Sequence, residues 1–217
     1  QVLSPQEAFL INNILSDNNA RLLTFGTNSL LNMGSRPVAV KTGTTNDRRD
    51  NWAIGWSRSV IIGSWVGNND NSAMKQVASG VSGASPIWRR IMFEALIKYP
   101  ASNFEIPSGI VSENVDLISG YKTHDGWPSR PEYFIEGTVP DVPDPIHTKL
   151  TVCKSDGKLA GPVEIAKGDT EDREFIILKS PSTLSGSDQV RWQTGFDAWI
   201  AAQPDSRYHP PTDSCQN

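Results

Sequence analysis

The chain has 217 residues, and its 20 Lys and Arg against 24 Asp and Glu give a net charge of −4. This mildly acidic balance, without a basic tract, argues against nucleic acid as a partner. The longest nearly apolar stretch, residues 60–67, is far shorter than the roughly 20 residues that cross a bilayer. Two Cys exclude a disulfide-scaffold miniprotein and a zinc site built mainly from Cys.

The sequence begins with Gln and enters a helix pattern almost at once, so we expect a chain cut from a longer one. Ser4-Pro5-Gln6-Glu7 is typical of a helix start, because Ser caps, Pro suits the first turn and Glu completes a capping box. Apolar residues at helical spacing continue to about Ser16. A buried strand is predicted next at residues 37–40, leading into residues 41–45.

Two further strands are predicted at residues 52–56 and 59–66, joined by a tight antiparallel hairpin. Ser85-Pro86 then opens a second helix. The apolar residues expected on its buried side are Ile87, Trp88, Ile91, Met92, Ala95 and Leu96. Helices alternating with hairpin strands predict an α+β fold, in which an antiparallel sheet is flanked by helices.

The remainder of the chain is patterned less clearly. Residues 101–150 contain six Pro and little periodicity, which predicts an extended linker. Residues 151–217 are interpreted as a small β-rich C-terminal appendix, with strands near residues 150–153 and 174–178 and a short helix near 195–202. We therefore expect three parts, residues 1–100, 101–150 and 151–217.

Lys41-Thr42-Gly43 is the sharpest candidate site, because the Lys ends a buried strand and Thr42 and Thr44 flank a residue without a side chain. A cation, two hydroxyl groups and a bare backbone edge suit a carboxylate and a developing oxyanion. The alternative from the residues alone is a solvated Lys followed by a Gly turn into Asn46-Asp47.

The longer strings around this site resemble class A, or bifunctional, penicillin-binding proteins. The resemblance is carried by residues 37–47 (PVAVKTGTTND), 65–72 (WVGNNDNS), 83–88 (GASPIW) and 15–21 (LSDNNAR). It runs almost continuously over residues 3–98, which are similar to the C-terminal part of the transpeptidase domain. It is weaker over residues 101–145, where residues 134–140 resemble the tail that follows this domain, and it does not extend to residues 151–217.

The resemblance implies a partial serine β-lactamase/transpeptidase-like fold and acyl transfer without a cofactor or metal. In the family, a serine attacks the penultimate D-Ala carbonyl of a peptidoglycan stem peptide, and an amine of a neighbouring stem peptide takes the acyl group. β-Lactams bind the same site. The full-length proteins also carry a glycosyltransferase domain and are anchored in the cytoplasmic membrane, with the active sites on its outer side.

The resemblance also assigns roles to single residues. Lys41 would supply positive potential and assist proton transfer, and the hydroxyl groups of Thr42 and Thr44 would bind the terminal carboxylate. The backbone N–H of Thr44 would form half of the oxyanion hole, and Gly43 would permit close approach. The catalytic residues expected here are thus Lys41 and Thr44, and the substrate-binding residues are Thr42, Gly43 and Thr44.

The family also needs a Ser-x-x-Lys nucleophile and a Ser-x-Asn motif upstream of Lys-Thr-Gly. Three strings match Ser-x-x-Lys, but all follow Lys41 and lie in loops or contain Gly: Ser72–Lys75, Ser119–Lys122 and Ser155–Lys158. Ser16-Asp17-Asn18 is expected to cap a helix end or turn the chain, and Ser112-Glu113-Asn114 lies in the predicted linker. We expect the nucleophile in the missing N-terminal part of the same polypeptide and no activity from this chain alone.

The cysteines, the histidines and three apolar residues each lead to a further expectation. Because the family works outside the cytoplasm, where disulfides persist, Cys153 and Cys215 are predicted to pair. His124, His147 and His209 lack ligand spacing and are expected at the surface. With upstream elements missing, apolar side chains of Ile61, Trp65 and Ile91 should be uncovered.

Two alternative functions remain open from the sequence. One keeps the fold and lets water take the acyl group, as in a serine β-lactamase or a D,D-carboxypeptidase. The other is a noncatalytic cell-wall-binding module, against which the intact Lys-Thr-Gly-Thr string argues.

Overall fold

The computed structural model describes residues 2–74, 83–124, 126–181 and 183–215. The helices are α1 Pro5–Ser16, α2 Leu22–Phe25, α3 Ala84–Lys98, α4 Pro162–Lys167 and α5 Gly186–Ala201. The strands are β1 Ala39–Thr44, β2 Asp50–Trp56, β3 Ile61–Gly67, β4 Ile110–Asp116, β5 Ser129–Ile135, β6 His147–Cys153 and β7 Thr170–Ile176. Within the described ranges, no helix has both the length and the apolar character that a membrane span requires.

The chain divides into two compact units. The first comprises residues 1–112 and 133–139, and the second comprises residues 113–132 and 140–217. Strands β4 and β5 pair with each other and carry the chain from the first unit to the second and back. These strands lie inside residues 101–150, for which the Pro content predicts only a linker, and the division therefore differs from the expected one at residues 100 and 150.

The first unit begins with the predicted helix. Ser4 caps α1, and its hydroxyl and the Glu7 carboxylate form a reciprocal capping box. The Phe9 side chain is buried and packs edge-on against the Tyr133 ring at 5.2 Å. Asn12 accepts a hydrogen bond of 2.7 Å from the Trp56 indole, which fixes α1 against the sheet.

The sheet of the first unit is antiparallel in the order β1-β2-β3. One face of this sheet packs against α3. The buried hydrophobic core between them and the neighbouring loop consists of Leu31, Met33, Val38, Val40, Ala53, Ala84, Trp88, Met92 and Leu96. Gly55 permits this packing, because a Cβ atom there would lie 2.4 Å from the Trp88 ring. Strands, helices and their order confirm the predicted α+β class.

The buried side of α3 is narrower than predicted. Trp88, Met92 and Leu96 are buried, as expected from their spacing of four residues. The prediction was wrong for Ile87, which is 47% exposed because it lies on the flank of this stripe. Ile61, Trp65 and Ile91 are 70%, 40% and 47% exposed, so the expectation that these three apolar side chains are uncovered in this chain is confirmed.

The second unit contains the antiparallel pair β6–β7, and α4 precedes β7. The predicted disulfide is present between Cys153, the last residue of β6, and Cys215, with Cα atoms 6.4 Å apart. The backbone N–H of Leu159 donates to the carbonyl oxygen of Asp213, and the N–H of Cys215 donates to the carbonyl oxygen of Leu159, which holds the same segment. Helix α5 spans sixteen residues, twice the expected stretch at residues 195–202.

Candidate active site

The Lys-Thr-Gly-Thr residues form the last four positions of β1, at the edge of the sheet. Strand β2 pairs with one side of β1, with Thr42 opposite Ala53 and Thr44 opposite Asn51. In the part of the chain that the structure describes, no strand pairs with the other side of β1. The backbone groups on this outer side are therefore not used in a strand ladder of the described residues, as at other sheet edges that bind extended ligands.

The four side chains alternate between the two faces of the sheet. Thr42 and Thr44 share the face of Val40, which is buried in the core against α3. Lys41 and Gly43 belong to the opposite face. Lys41 is exposed, and its ammonium group donates a hydrogen bond of 2.6 Å to the carbonyl oxygen of Thr42.

The Thr44 hydroxyl is held by a buried side chain. Asn51 is fully buried, and its Oδ1 accepts a hydrogen bond of 2.7 Å from the backbone N–H of Ala84, the first residue of α3. This bond fixes which end of the amide is the oxygen. Its Nδ2 therefore faces β1, where it donates to Thr44 Oγ1 at 3.0 Å. The site is thus linked to the N-terminus of α3.

Gly43 lies within the strand, opposite Trp52, and not in a turn. A Cβ atom at Gly43 would have its nearest contact 3.8 Å away, at the Trp52 Cβ, which is ordinary van der Waals distance. The chain turns only after the motif, at Asn46–Arg48, where Asp47 and Arg48 have φ angles of 59° and 56°. The fold of the described residues therefore gives no steric reason for glycine at position 43.

The charged segment after the motif, Asp47 to Asp50, lies largely exposed at the turn between β1 and β2. Asp50 donates its backbone N–H to the Thr45 hydroxyl at 2.8 Å, and its carboxylate accepts 2.7 Å from the Trp65 indole. Arg49 donates to the carbonyl oxygen of Asn71 at 2.8 Å. These contacts hold the turn between β1 and β2 against the end of β3.

The other motif matches do not form a nucleophile site in the described residues. Ser119 and Ser155 lie in turns and not on helices. Ser16 is the last residue of α1, where Asp17 caps the helix, as predicted for that string. Ser112-Glu113-Asn114 lies on β4 and not in a linker. Ser72 bonds to Asp70 at 2.7 Å, and Lys75 lies outside the described residues.

Sequence reasoning missed two features. Asn51 was not singled out, although a polar residue alternating with Ala53 and Gly55 on the buried face of a strand is a usable signal. The prediction of a surface His147 was wrong, because this residue opens β6 with its side chain 1% exposed between Asp116 and Asp144. His124 and His209 are exposed, as predicted.

The comparisons with known proteins agree with this geometry. A penicillin-binding protein 1A of Clostridium botulinum is 34% identical over 167 residues, which cover 74% of this chain and 20% of that protein. Penicillin-binding protein 1A of Escherichia coli K12 is 36% identical over 119 residues, covering 48% of this chain and 14% of that protein. A scan against family models finds no match.

Among solved structures, penicillin-binding protein 1A from Haemophilus influenzae matches with a TM-score of 0.55 and 30% identity, over 66% of this chain and 22% of that one. In sequence and in α+β fold, the chain is therefore like the penicillin-binding proteins. Within them it is penicillin-binding-protein-1A-like, and it spans about a fifth of the length of the first two curated relatives.

Proposed function

We propose that this chain supplies one wall of the active site of a peptidoglycan D,D-transpeptidase. A serine from another part of the polypeptide attacks the penultimate D-Ala carbonyl, the terminal D-Ala leaves with a proton, and an acyl-enzyme remains. An amine of a second stem peptide then attacks the acyl carbonyl, forms the crosslink and returns the serine. In this proposal the polypeptide is membrane-anchored with its site on the outer side, carries a glycosyltransferase domain, and is acylated by β-lactams.

The observation that carries the proposal is the state of the Thr44 hydroxyl. A hydroxyl group has one hydrogen to donate and two lone pairs that accept. Because Asn51 donates to Thr44 Oγ1, the hydrogen of that hydroxyl is directed elsewhere and is available to a ligand. Thr42 lies two residues earlier on the same face, so two hydroxyl donors line one stretch of the open edge. A substrate carboxylate accepts from such donors in charge-assisted hydrogen bonds.

The backbone of β1 supports an oxyanion site at the same edge. Thr45 donates its N–H inward to the carbonyl oxygen of Asp50 at 3.0 Å. In an antiparallel strand, successive residues direct their backbone groups to opposite sides. The N–H of Thr44 is therefore directed to the open side, where it can donate to the developing oxyanion of the attacked carbonyl. Lys41, beside this edge, adds positive potential, and Gly43 leaves room for the substrate backbone.

The test uses the longer polypeptide that contains this segment, acylated with a fluorescent penicillin. We expect Thr42→Val and Thr44→Val each to slow acylation roughly ten- to hundredfold, the effect of losing a hydrogen bond to a charged group. Thr24→Val, which removes an exposed hydroxyl from α2, is the matched control and should acylate at the parental rate. Unchanged acylation in both site variants would overturn the assignment.

Two further experiments distinguish the transpeptidase from the alternative functions. The 217-residue chain alone should form no covalent adduct with the penicillin, and a stable label on Ser72 would contradict this. Loss of the label by rapid hydrolysis from the longer polypeptide would indicate a β-lactamase, whereas a persistent label and crosslinked peptide products support the transpeptidase.

A further inference from the structure

The second unit contains a buried cluster of one imidazole and two carboxylates. Asp116 is the last residue of β4, His147 is the first residue of β6, and Asp144 lies three residues before it. The side chains of Asp116, Asp144 and His147 are 2%, 0% and 1% exposed. His147 Nε2 lies 3.0 Å from Asp116 Oδ2 and 3.3 Å from Asp144 Oδ2, so one oxygen of each carboxylate converges on the same ring nitrogen.

The other oxygens of the two carboxylates are already engaged. Asp116 Oδ1 accepts hydrogen bonds of 2.8 Å from the backbone N–H groups of Ile118 and Ser119. Asp144 Oδ1 accepts one of 3.0 Å from Ile146. Asp144 Oδ2 is buried and forms no hydrogen bond among the described residues, where its recorded polar contact is His147 Nε2 at 3.3 Å. One contact of this length leaves a buried carboxylate oxygen short of the partners that it would have in water, which is costly.

The cluster brings two carboxylates and one imidazole together in a buried place. Arg207, which stacks over the neighbouring Trp127 ring, is paired with Asp205 through three hydrogen bonds to its carboxylate. A divalent cation would neutralise the cluster and give Asp144 Oδ2 a partner.

We propose that Asp116, Asp144 and His147 bind a divalent transition-metal cation, Zn²⁺ or Mn²⁺. Ligand atoms about 2.1 Å from a metal lie roughly 3.0 Å apart at octahedral angles and roughly 3.4 Å apart at tetrahedral angles. The distances of 3.0 and 3.3 Å from Nε2 fall in this interval, and the three ligand atoms lie within 4.8 Å of one another. The imidazole favours Zn²⁺ over Mg²⁺ and Ca²⁺, and the two carboxylates also suit Mn²⁺.

The surroundings suit a structural metal. The Trp127 ring lies 3.6 Å from the His147 ring, centroid to centroid, and covers it. A cavity of about 270 Å³ lies next to His147 and is lined by His124, His147, Thr148, Lys149 and Glu174. The ion would join the end of β4 to the start of β6, and so two segments of the second unit that are distant in sequence.

The experiment uses the 217-residue chain, stripped with EDTA and dialysed. We expect titration calorimetry with Zn²⁺ and electron paramagnetic resonance with Mn²⁺ each to show one bound ion per chain. Zn²⁺ at a hundred times its Kd should raise Tm by about 5–10 °C. Asp144→Asn should weaken binding at least roughly tenfold, and Asp116→Asn should behave likewise. Asp141→Asn removes an exposed carboxylate from the same loop and should bind like the parent.

The test does not depend on the variants alone, because the proposal requires the parental chain itself to bind Zn²⁺ or Mn²⁺. Near-ultraviolet circular dichroism of each variant before titration establishes that its tertiary structure is intact. A folded parental chain that binds neither ion would overturn the proposal and leave an ion pair between His147 and the two carboxylates. Equal binding by the parent and a folded Asp144→Asn variant would overturn it as well.

Discussion

Asn51 donates its side-chain amide to the hydroxyl of Thr44, the residue directly opposite it in the β1–β2 ladder, at 3.0 Å. The same amide accepts 2.7 Å from the N–H of Ala84 at the start of α3. One buried side chain therefore links the candidate carboxylate-binding residue to the helix that packs under the sheet. The exposed Thr44 side chain is therefore held by a contact from the core.

Asn51→Ala is expected to destabilise the first unit by about 2–4 kcal/mol, because it removes two hydrogen bonds and leaves the buried N–H of Ala84 without its acceptor. Urea denaturation of the 217-residue chain, followed by tryptophan fluorescence, measures the change. Asn19→Ala, at an exposed position, is the control and should stay within about 0.5 kcal/mol of the parent. If Asn51→Ala also changed the free energy of unfolding by less than about 0.5 kcal/mol, the two hydrogen bonds of Asn51 would not contribute to stability.

Gly43, Gly55 and Gly63 lie in strands and allow two reasons for a glycine to be distinguished: close packing in the core and close approach of a ligand. A Cβ atom at Gly43 or Gly63 would have its nearest neighbour 3.8 Å away, whereas at Gly55 it would lie 2.4 Å from the Trp88 ring and 2.9 Å from the Ala39 carbonyl. Gly55→Ala should therefore cost about 1–3 kcal/mol through overpacking. Gly43→Ala and Gly63→Ala should leave the urea midpoint nearly unchanged.

The same variants, placed in the longer polypeptide, test the proposed substrate path. Gly43→Ala should slow acylation by fluorescent penicillin, since the added methyl group occupies the side of the strand edge that a ligand backbone needs. Gly63→Ala, with the same Cβ environment on β3, should acylate normally. Normal acylation in Gly43→Ala would indicate that the glycine does not serve ligand approach.

Local signals predicted most of the first unit, and long-range partners explain what they missed. The capping box at Ser4 and Glu7 predicted the start of α1, because all its contacts lie within three residues. The role of Asn51 depends on its hydrogen bond with Ala84, which lies 33 residues further along the chain. His147 is buried in contact with Asp116, which lies 31 residues earlier. No periodicity within a strand or helix contains such pairings, so the sequence predicted the strands but not these contacts.

The disulfide is expected to stabilise the second unit. It closes a segment with a sequence separation of 62, and constraining a loop of this size in the unfolded chain contributes about 2–4 kcal/mol. The double variant Cys153→Ser and Cys215→Ser should lower the thermal midpoint of the second unit, and reduction of the parent should do the same. Thiol titration of the denatured, unreduced chain should find no free thiol. Two titratable thiols would contradict the pairing.

The capping box of α1 makes a prediction about pH. The Ser4 backbone N–H and then its hydroxyl, which donate to Glu7 Oε2 at 2.7 and 2.8 Å, lower the pKa of Glu7 from its ordinary value of 4.5. Because the folded pKa is the lower one, the ionised carboxylate stabilises the cap above pH 4.5, and this stabilisation is lost as pH falls through the folded pKa.

Ser4→Ala removes the hydroxyl but keeps the N–H, so the pKa of Glu7 should rise part of the way towards its ordinary value. Carboxyl ¹³C NMR titration measures this, and Ser35→Ala, at an exposed position, should leave the Glu7 curve unchanged. An identical Glu7 titration in Ser4→Ala and the parent would show that the hydroxyl does not contribute to the cap.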